Sequence, residues 1–248
     1  MNVLSIGNSF SQDAQRYLHR IAKADGFTLN TFNLYIGGCP LLLHYRNMIS
    51  EKNAYTLEMN GESTGFEVSL KDALLNRDWE FVTIQQVSHM SPHYETYQPF
   101  LEKIVEYIRL CVPRAKIAIH QTWAYEENSH RLNVELGYGS HIDMFNDIKK
   151  AYEKAAEEIN ADLIIPSGEL FQKLIAAGIK KVHRDTFHAS LGLGRYALGL
   201  LWYSVLTGNN IKSNAFCDFD EEISKEEIEI AKICCMQILN ILYNSRKT

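Results

Sequence analysis

Five short apolar segments alternate with amphipathic helical segments along the chain, and this order constrains the fold more than any other feature. The segments are nearly all apolar, which is typical of parallel strands that are buried on both faces. Strand–helix repeats of this kind build a parallel sheet with helices on both sides, joined by right-handed crossovers. The predicted strands are residues 3–6, 27–35, 79–85, 115–120 and 161–165.

One further segment, residues 54–68, has the pattern of an antiparallel hairpin. Asn60-Gly61 is a strong signal for a tight turn between two strands, and Gly65 offers a second turn. We therefore predict a small hairpin inserted on the parallel scaffold. No internal repeat, low-complexity tract or linker interrupts the pattern, so residues 1–248 are predicted to form one domain.

The composition argues against several classes of protein. The 248 residues carry a net charge of −5 and their lysines and arginines are scattered, so nothing indicates a nucleic-acid partner. Five cysteines without a C-x-x-C pair argue against a disulfide framework and against a zinc site. No apolar run is long enough to span a bilayer, and no secretory signal precedes the first strand. We expect a soluble, cytoplasmic chain without a membrane partner, although removal of an export signal would leave the same sequence.

Ser9 follows the first predicted strand in the sequence Gly7-Asn8-Ser9, and a helical pattern begins at Phe10. A serine on a tight turn at a helix N-terminus lies beside free backbone N–H groups, where negative charge is stabilised. Serine is also among the residues preferred as a helix N-cap. On this stretch alone, capping explains Ser9 better than nucleophilic catalysis does.

Asp185 and His188 favour nucleophilic catalysis over capping as the explanation of Ser9. An Asp-x-x-His sequence in a loop just before a helix lets a carboxylate and an imidazole point into one cleft. A serine hydroxyl needs an adjacent base, histidine suits that role, and the base needs a carboxylate to orient it. Ser9, His188 and Asp185 are therefore predicted to form a catalytic triad. The alternative is that His188 caps the next helix and Asp185 is a solvated turn residue.

An acyl-transfer serine also needs hydrogen-bond donors for an oxyanion. The backbone N–H of Ser9 is one, and that of Gly38 is another, because a residue without a Cβ lets its backbone approach the substrate. Gln85 is predicted to donate a side-chain N–H because it directly ends the third strand, and Gln86 is the second choice. A simple turn at Gly38 and a solvated loop at the glutamines are the alternative explanations.

Further candidates lie near the same strand ends. Trp123 and Tyr125 follow the fourth strand, and we predict that they contact the substrate together with Ser88. The two aromatic rings could stack on a sugar, although packing at the rim of the sheet would explain them equally well. His89 and His93 are four residues apart in a proline-containing loop, so no metal site is predicted there.

Three other polar residues receive structural explanations. Cys39 lies beside Gly38 in the sequence and is predicted to be a structural thiol rather than a second nucleophile. Asp13 and Arg16 belong to the first helix, where we expect both side chains to be solvated.

Four blocks of the sequence resemble those of the SGNH (GDSL-type) hydrolase superfamily. The blocks follow the family order and span most of the chain. The resemblance implies a three-layer α/β/α, flavodoxin-like fold, with Ser9 as nucleophile, His188 as base and Asp185 as the acid of the triad. It also implies Gly38 and an amide of the third block as oxyanion donors. The blocks are Gly7-Asn8-Ser9, Gly38, Gln85-Gln86-Val87-Ser88 and Asp185-x-x-His188.

Two of these blocks depart from the family pattern. The usual first block is Gly-Asp-Ser, whereas this chain has Asn8, and the usual third block is Gly-x-Asn-Asp, whereas this chain has glutamines. A carbohydrate-esterase branch of the superfamily uses glutamine at the third block. The pattern is therefore closest to a branch with Gly-Asn-Ser and a glutamine after the third strand, which leaves the substrate open.

These features together predict a serine esterase that hydrolyses small acyl esters through an acyl-enzyme, without a metal or an organic cofactor. An acetyl group on a carbohydrate is the favoured substrate. Two alternatives stay open. An O-acyltransferase would use the same triad with a sugar hydroxyl in place of water, and a glycan-binding module would keep the pocket without efficient catalysis. The sequence does not determine the oligomeric state.

Overall fold

The centre of the molecule is a seven-stranded sheet. A computed structural model describes residues 1–245, and residues 246–248 of the predicted domain lie outside that range. The strands are β1 (Asn2–Gly7), β2 (Asn30–Tyr35), β3 (Tyr55–Met59), β4 (Glu62–Val68), β5 (Phe81–Ile84), β6 (Lys116–Gln121) and β7 (Leu163–Pro166). They lie in the order β4-β3-β2-β1-β5-β6-β7. Because β1, β2, β5, β6 and β7 run parallel while β3 and β4 form an antiparallel hairpin on β2, the predicted five-stranded parallel sheet with one hairpin is confirmed.

Helices cover both faces of this sheet. They are α1 (Ser9–Gln15), α2 (Leu18–Ala24), α3 (Leu41–Ser50), α4 (Leu70–Leu75), α5 (Phe100–Cys111), α6 (His141–Glu158), α7 (Ser167–Ala176), α8 (Leu193–Thr207) and α9 (Lys225–Ser245). From β1 the chain steps to one side into β2, and later to the other side through β5, β6 and β7. Right-handed crossovers then place α1 and α2 on the face opposite to α5 and α6.

The helices of each face pack on one another. On one face α8 contacts α1, α2, α7 and α9, and on the other α5 contacts α3 and α4. The helix α8 lies between its neighbours and the sheet, which explains why it is mostly apolar: twelve of its fifteen residues are buried. This three-layer arrangement is the flavodoxin-like fold that the sequence blocks implied. Within residues 1–245, no helix carries an apolar stretch long enough to cross a membrane.

The start of the second predicted strand shifts for a local reason. Strand β2 begins at Asn30 instead of residue 27, because the preceding residues close α2: Gly26 adopts a positive φ of 71° and Phe27 N donates to the carbonyl of Ala22 at 3.0 Å. The stretch 126–139 contains a π-helical turn at Arg131–Glu135. That turn lies beside the carboxyl end of the sheet and matters for the site below.

Strands β3 and β4 are joined by the predicted two-residue turn. Asn60 and Gly61 both have positive φ, 53° and 84°, as a type I′ hairpin turn requires. The turn lies against the end of α1, since a Cβ at Gly61 would overlap the backbone carbonyl oxygen of Arg16. Gly65, farther along β4, also has a positive φ of 74°, but a Cβ there would meet no atom within 4 Å.

Alanine substitutions at these two glycines should therefore differ in cost. Gly65→Ala brings only the strain of a left-handed residue and should lower the free energy of unfolding by about 1 kcal/mol. Gly61→Ala adds an overlap with rigid backbone, so we expect a loss of about 3 kcal/mol or more. Denaturant unfolding of the two variants measures the difference. Equal losses would contradict the packing of the hairpin turn on α1.

Candidate active site

Ser9, His188 and Asp185 are joined by hydrogen bonds although Ser9 and His188 are 179 residues apart. Ser9 is the first residue of α1, and only Asn8 separates it from the end of β1. Its Oγ lies 2.8 Å from Nε2 of His188, and Nδ1 of His188 lies 2.8 Å from Oδ2 of Asp185. With the Nδ1 proton donated to the carboxylate, Nε2 is left to accept the proton of the serine hydroxyl. The structure thus brings together the three residues that the sequence singled out.

The loop that carries Asp185 and His188 is held in a strained conformation. Thr186 has a φ of 76°, and a β-branched residue in this region costs about 1–3 kcal/mol. The backbone carbonyl of Thr186 accepts the N–H of Glu126 at 2.7 Å, which stabilises that conformation. Asp185 Oδ1 also accepts the backbone N–H of His188 at 3.0 Å. As a result, the carboxylate and the imidazole face each other within one tight turn.

The electrostatics of this turn favour an ionised Asp185. Partial burial raises the pKa of its carboxyl, but the side-chain and backbone hydrogen bonds from His188 outweigh that effect and lower the pKa below its ordinary value. The side chain is 47% exposed, so this shift is moderated by solvent. At neutral pH the carboxylate is therefore charged, which suits a group that orients a histidine base.

Asn8 connects three turns at the carboxyl edge of the sheet. Its Oδ1 accepts the backbone N–H of Phe10 at 3.1 Å, which caps α1, and Gln85 Nε2 donates to the same oxygen at 2.7 Å. Its Nδ2 donates to the carbonyl of Cys39 at 3.2 Å and so holds the turn that contains Gly38. A carboxylate could accept the first two bonds but could not donate the third. This explains an asparagine at a position where the related blocks carry aspartate.

Gly7 and Ser11 complete the turn around Asn8. A Cβ on Gly7 would overlap the side chain of Ser11, so a larger residue could not precede Asn8 without moving the helix. Ser11 Oγ lies within hydrogen-bond distance of the backbone N–H and the carbonyl of Asn8, at 3.1 and 2.8 Å. The Gly-Asn-Ser sequence is therefore a capped strand-to-helix turn whose serine also faces His188. Capping and catalysis are not alternatives here, because Asn8 is the cap.

Gln85 does not lie on the wall of the cleft, contrary to its predicted position as an oxyanion donor. Its side chain is buried between Asn8 and His120, with Gln85 Oε1 bonded to Nδ1 of His120. Since Gln85 donates to Asn8, its Oε1 must accept from His120, and His120 Nε2 then accepts from Ser167 Oγ at 3.1 Å. Burial lowers the pKa of His120 to about 3, so this imidazole is neutral. Gln85 therefore stabilises the Gly7-Asn8-Ser9 turn from the interior of the protein, through its hydrogen bond to Asn8.

Gln86, the second choice, does not reach the cleft either. Its Oε1 accepts the backbone N–H groups of Leu41 and Val87 at 3.0 and 2.9 Å. Its Nε2 donates to the carbonyl and the hydroxyl of Thr96, both at 3.0 Å. Both the oxygen and the nitrogen of the Gln86 side chain are therefore hydrogen-bonded within the protein. These bonds connect the start of α3 to the loop after β5.

Asp13 is buried, and the prediction that it is solvated is wrong. The carboxylate is 0% exposed and accepts bonds from Arg184 Nη1 at 2.8 and 2.9 Å, from Arg195 Nε at 2.9 Å and from the backbone N–H of Ala189 at 3.1 Å. These contacts attach the loop of Asp185 and His188 to α1. Arg16 was also expected to be solvated. It is instead ion-paired with Asp220 and Glu62.

A cleft of about 350 Å³ opens at Ser9, within the usual size range of small-molecule sites. Gly38, Ser88 and Tyr125 lie on its wall, in the places that the sequence predicted. Gly38 has a φ of 62°, and Ser88 Oγ lies 2.9 Å from the hydroxyl of Tyr125. The lining residues are Asn8, Ser9, Phe10, Gln12, Tyr35, Gly37, Gly38, Val87, Ser88, His89, Tyr125, Arg131, Arg184, Phe187 and His188.

Trp123 is not on this wall, so its predicted contact with the substrate is not supported by its position. Its side chain is 0% exposed and stacks between Phe10 and Phe171, with ring centres 4.1 and 4.5 Å apart. The indole N–H donates to the carbonyl of Phe187 at 2.8 Å. Trp123 therefore fixes the residue that precedes His188.

Cys39 does not offer a second nucleophile at this site. Burial raises the pKa of the Cys39 thiol to about 12, so the thiol is protonated at neutral pH, as expected for a structural cysteine. Within residues 1–245, no three His, Cys, Asp or Glu side chains are arranged to hold a metal ion.

Sequence inspection missed several residues of the cleft, among them Phe187, Tyr35 and Arg131. Phe187 lies between Asp185 and His188 in the sequence, so its place near the triad could have been inferred from that motif. Tyr35 is the last residue of β2 and lies at the same sheet edge as Ser9, so its place in the cleft could also have been inferred from the predicted strand. Arg131 belongs to a polar stretch without any motif, and the fold alone brings it to the cleft.

The role of Asn8 can be tested by stability. Asn8→Asp should lower the free energy of unfolding by about 2–4 kcal/mol at pH 8, because a buried carboxylate would face the Cys39 carbonyl without a hydrogen to donate. Burial raises the pKa of such a carboxyl in the folded state, so the loss should shrink at pH 5, where the protonated acid can donate. Denaturant unfolding at both pH values measures this.

Asn210→Asp is the matched control. Asn210 is exposed, and its Oδ1 accepts the N–H of Lys212 at 2.8 Å, a bond that a carboxylate retains. Its free energy of unfolding should change by less than about 0.5 kcal/mol. Equal losses in the two variants, or a loss in Asn8→Asp that grows at pH 5, would contradict the assigned hydrogen bonds.

Comparison with known proteins places the chain in a family. The model of the domain of unknown function DUF4886 matches residues 2–237. A crystal structure of a DUF4886 family protein from Bacteroides uniformis is 32% identical, with a TM-score of 0.90, and the match covers 98% of this chain and 95% of that one. A search of curated proteins found no match.

Two more distant structures share the fold. A candidate SGNH hydrolase from Slackia heliotrinireducens is 23% identical, with a TM-score of 0.61, over 82% of this chain and 97% of that one. Axe2, an acetylxylan esterase from Geobacillus stearothermophilus, is 15% identical, with a TM-score of 0.54, over 83% and 94%. The fold implied by the four sequence blocks, that of the SGNH-type hydrolases, is thus the fold of this molecule. By the extent of the family match and the identity to its crystallised relative, the chain belongs to the DUF4886 family.

Proposed function

We propose that this protein is a serine hydrolase that cleaves small acyl esters. The observation that carries the proposal is the 2.8 Å contact between Ser9 Oγ and His188 Nε2, with Asp185 bonded to the other ring nitrogen. A hydroxyl, a base and an orienting carboxylate in this order are what nucleophilic acyl transfer requires. The likeness in fold to a candidate SGNH hydrolase and an acetylxylan esterase supports the same reaction class.

The reaction proceeds through an acyl-enzyme. Ser9 Oγ attacks the ester carbonyl carbon while its proton passes to His188 Nε2. The tetrahedral intermediate then breaks the bond to the alkoxy oxygen, and the alcohol leaves with the proton from Nε2. Water attacks the acyl-enzyme and gives a proton to Nε2, and the acid departs as Ser9 recovers its hydrogen.

The oxyanion is bound by the backbone N–H groups of Ser9 and Gly38. Both residues line the cleft, and no hydrogen-bond acceptor in residues 1–245 is assigned to either amide. Asn8 positions both donors, because its two side-chain atoms hold the start of α1 and the turn after Gly38. Gln85 acts through Asn8 and not by donating to the oxyanion.

An acetyl ester of a carbohydrate is the substrate class that we favour. Tyr35 lies on the wall of the cleft, is partly exposed and offers aromatic surface to a sugar ring. Its volume of about 350 Å³ leaves little room for a long acyl chain beside a sugar. The fold relative Axe2 is named as an acetylxylan esterase.

Turnover of p-nitrophenyl acetate tests the reaction class. Ser9→Ala and His188→Ala should each lose about 10⁴-fold or more in kcat, because nucleophile and base act as one unit. Asp185→Asn should lose about 10²–10⁴-fold, since the neutral amide favours the wrong histidine tautomer. Ser213→Ala, at an exposed serine outside the cleft, is the matched control and should keep wild-type activity.

Purified wild-type protein without measurable turnover would overturn the proposal. The same holds if Ser9→Ala, folded by circular dichroism, hydrolysed the ester at the wild-type rate.

A further inference from the structure

Arg131 presents a guanidinium group at the rim of the cleft, one aromatic ring away from the catalytic base. It is the first residue of the π-helical turn, and its Cζ lies 4.1 Å from the centre of the Phe187 ring. The same ring lies 3.9 Å, centre to centre, from the ring of His188. Two successive ring contacts therefore connect the cation to the reacting centre.

Arg131 gives the cleft a positive charge that forms no ion pair within the part of the chain that the structure describes. The cleft is lined by two arginines, Arg131 and Arg184, and by no aspartate or glutamate. Arg184 is ion-paired with the buried carboxylate of Asp13 at 2.8 Å. Within residues 1–245, no carboxylate lies within ion-pair distance of Arg131, and the carboxylate of Glu135 in the same turn contacts the His130 ring at 3.3 Å.

Arg131 shares a side-chain hydrogen bond with Tyr125, and the rest of its N–H edge is available to a ligand. A guanidinium that stacks on an aromatic ring uses its flat face, so the N–H groups around its edge can still form a bidentate pair with an anion. Tyr125 and His89 lie beside it on the same wall. Burial, and then the charge of Arg131, lower the pKa of His89, so this imidazole is neutral and does not add a second cation.

We propose that Arg131 is an anion subsite and that the natural substrate is an ester that also carries a carboxylate or a phosphate group. The inference rests on the proposed hydrolase function and specifies its substrate class. Arg131 binds the anionic group while Ser9 attacks the ester carbonyl. Only the Phe187 ring separates Arg131 from His188, so the anionic group of the substrate must lie close to the ester that Ser9 attacks. The anionic group therefore belongs to the same sugar unit as the ester or to the next one. An acetylated acidic sugar meets this description.

Three matched substrates test the subsite: an acetylated methyl glucoside, the corresponding acetylated glucuronide, and acetylated glucose 6-phosphate. The readout is the ratio of kcat/KM for an anionic substrate to that for the neutral one, taken within each variant. In the wild type this ratio should be about 10–100, because a charge-assisted hydrogen-bond pair stabilises binding by the corresponding free energy. It should fall about tenfold when the ionic strength is raised from 0.02 to 1 M, because this partly exposed charge is screened.

Arg131→Gln should bring the ratio to about 1, and Arg131→Lys should restore part of it, because lysine keeps the charge without the bidentate geometry. Arg114→Gln is the matched control, since Arg114 is 85% exposed and lies outside the cleft, and its ratio should equal that of the wild type. A preference for only one of the two anionic substrates would identify carboxylate or phosphate as the natural group.

A binding measurement separates failure of the subsite from failure of the hydrolase function. Ser9→Ala should bind glucuronate or glucose 6-phosphate at least tenfold more tightly than glucose by calorimetry, and Ser9→Ala combined with Arg131→Gln should lose that preference. If esters are hydrolysed but neither the kcat/KM ratio nor binding prefers an anion, the subsite is overturned while the function stands. If anions bind through Arg131 but no ester is cleaved, the function fails and the anion site stands.

Discussion

The site depends on the side chain of Asn8 more than on any other single group. One amide caps α1 at Phe10, accepts from Gln85 and donates to Cys39, so that three strand ends are held in one geometry. Without these bonds, the N–H groups of Ser9 and the glycine turn would have no fixed relation to each other. Electrostatic stabilisation of an oxyanion requires donors that are in place before the reaction begins. The asparagine is therefore part of the proposed catalytic machinery through the residues that it positions.

Much of this architecture could be predicted from the sequence. The parallel sheet followed from short apolar segments between helices, because strands buried on both faces have no polar side. The Asn60-Gly61 turn followed from its positive-φ requirement. Ser9 and the Asp185–His188 pair were recognisable because a nucleophile, a base and an orienting acid are rare in combination and occupied blocks of a known order. The local chemistry of those blocks was sufficient to place them at one sheet edge.

The rest depended on contacts between segments distant in sequence. Asp13 has the pattern of a solvated helix residue, and only the fold brings Arg184 and Arg195 against it. Gln85 ends a strand as an oxyanion donor should, but the neighbouring strand supplies His120, which fixes the amide beneath the site. Trp123 follows a strand at the sheet edge where ligands bind, but its ring is buried between Phe10 of α1 and Phe171 of α7. Single-residue patterns do not encode such pairings.

Covalent labelling with a fluorophosphonate tests the central claim most directly, because the reagent reacts with a serine that an adjacent base has activated. Mass spectrometry of the labelled protein should show one adduct, located on Ser9. The adduct should be absent in Ser9→Ala and form at least a hundredfold more slowly in His188→Ala. A folded wild-type protein that takes up no label, or that is labelled at another serine, would contradict the account of Ser9 as a nucleophile activated by His188.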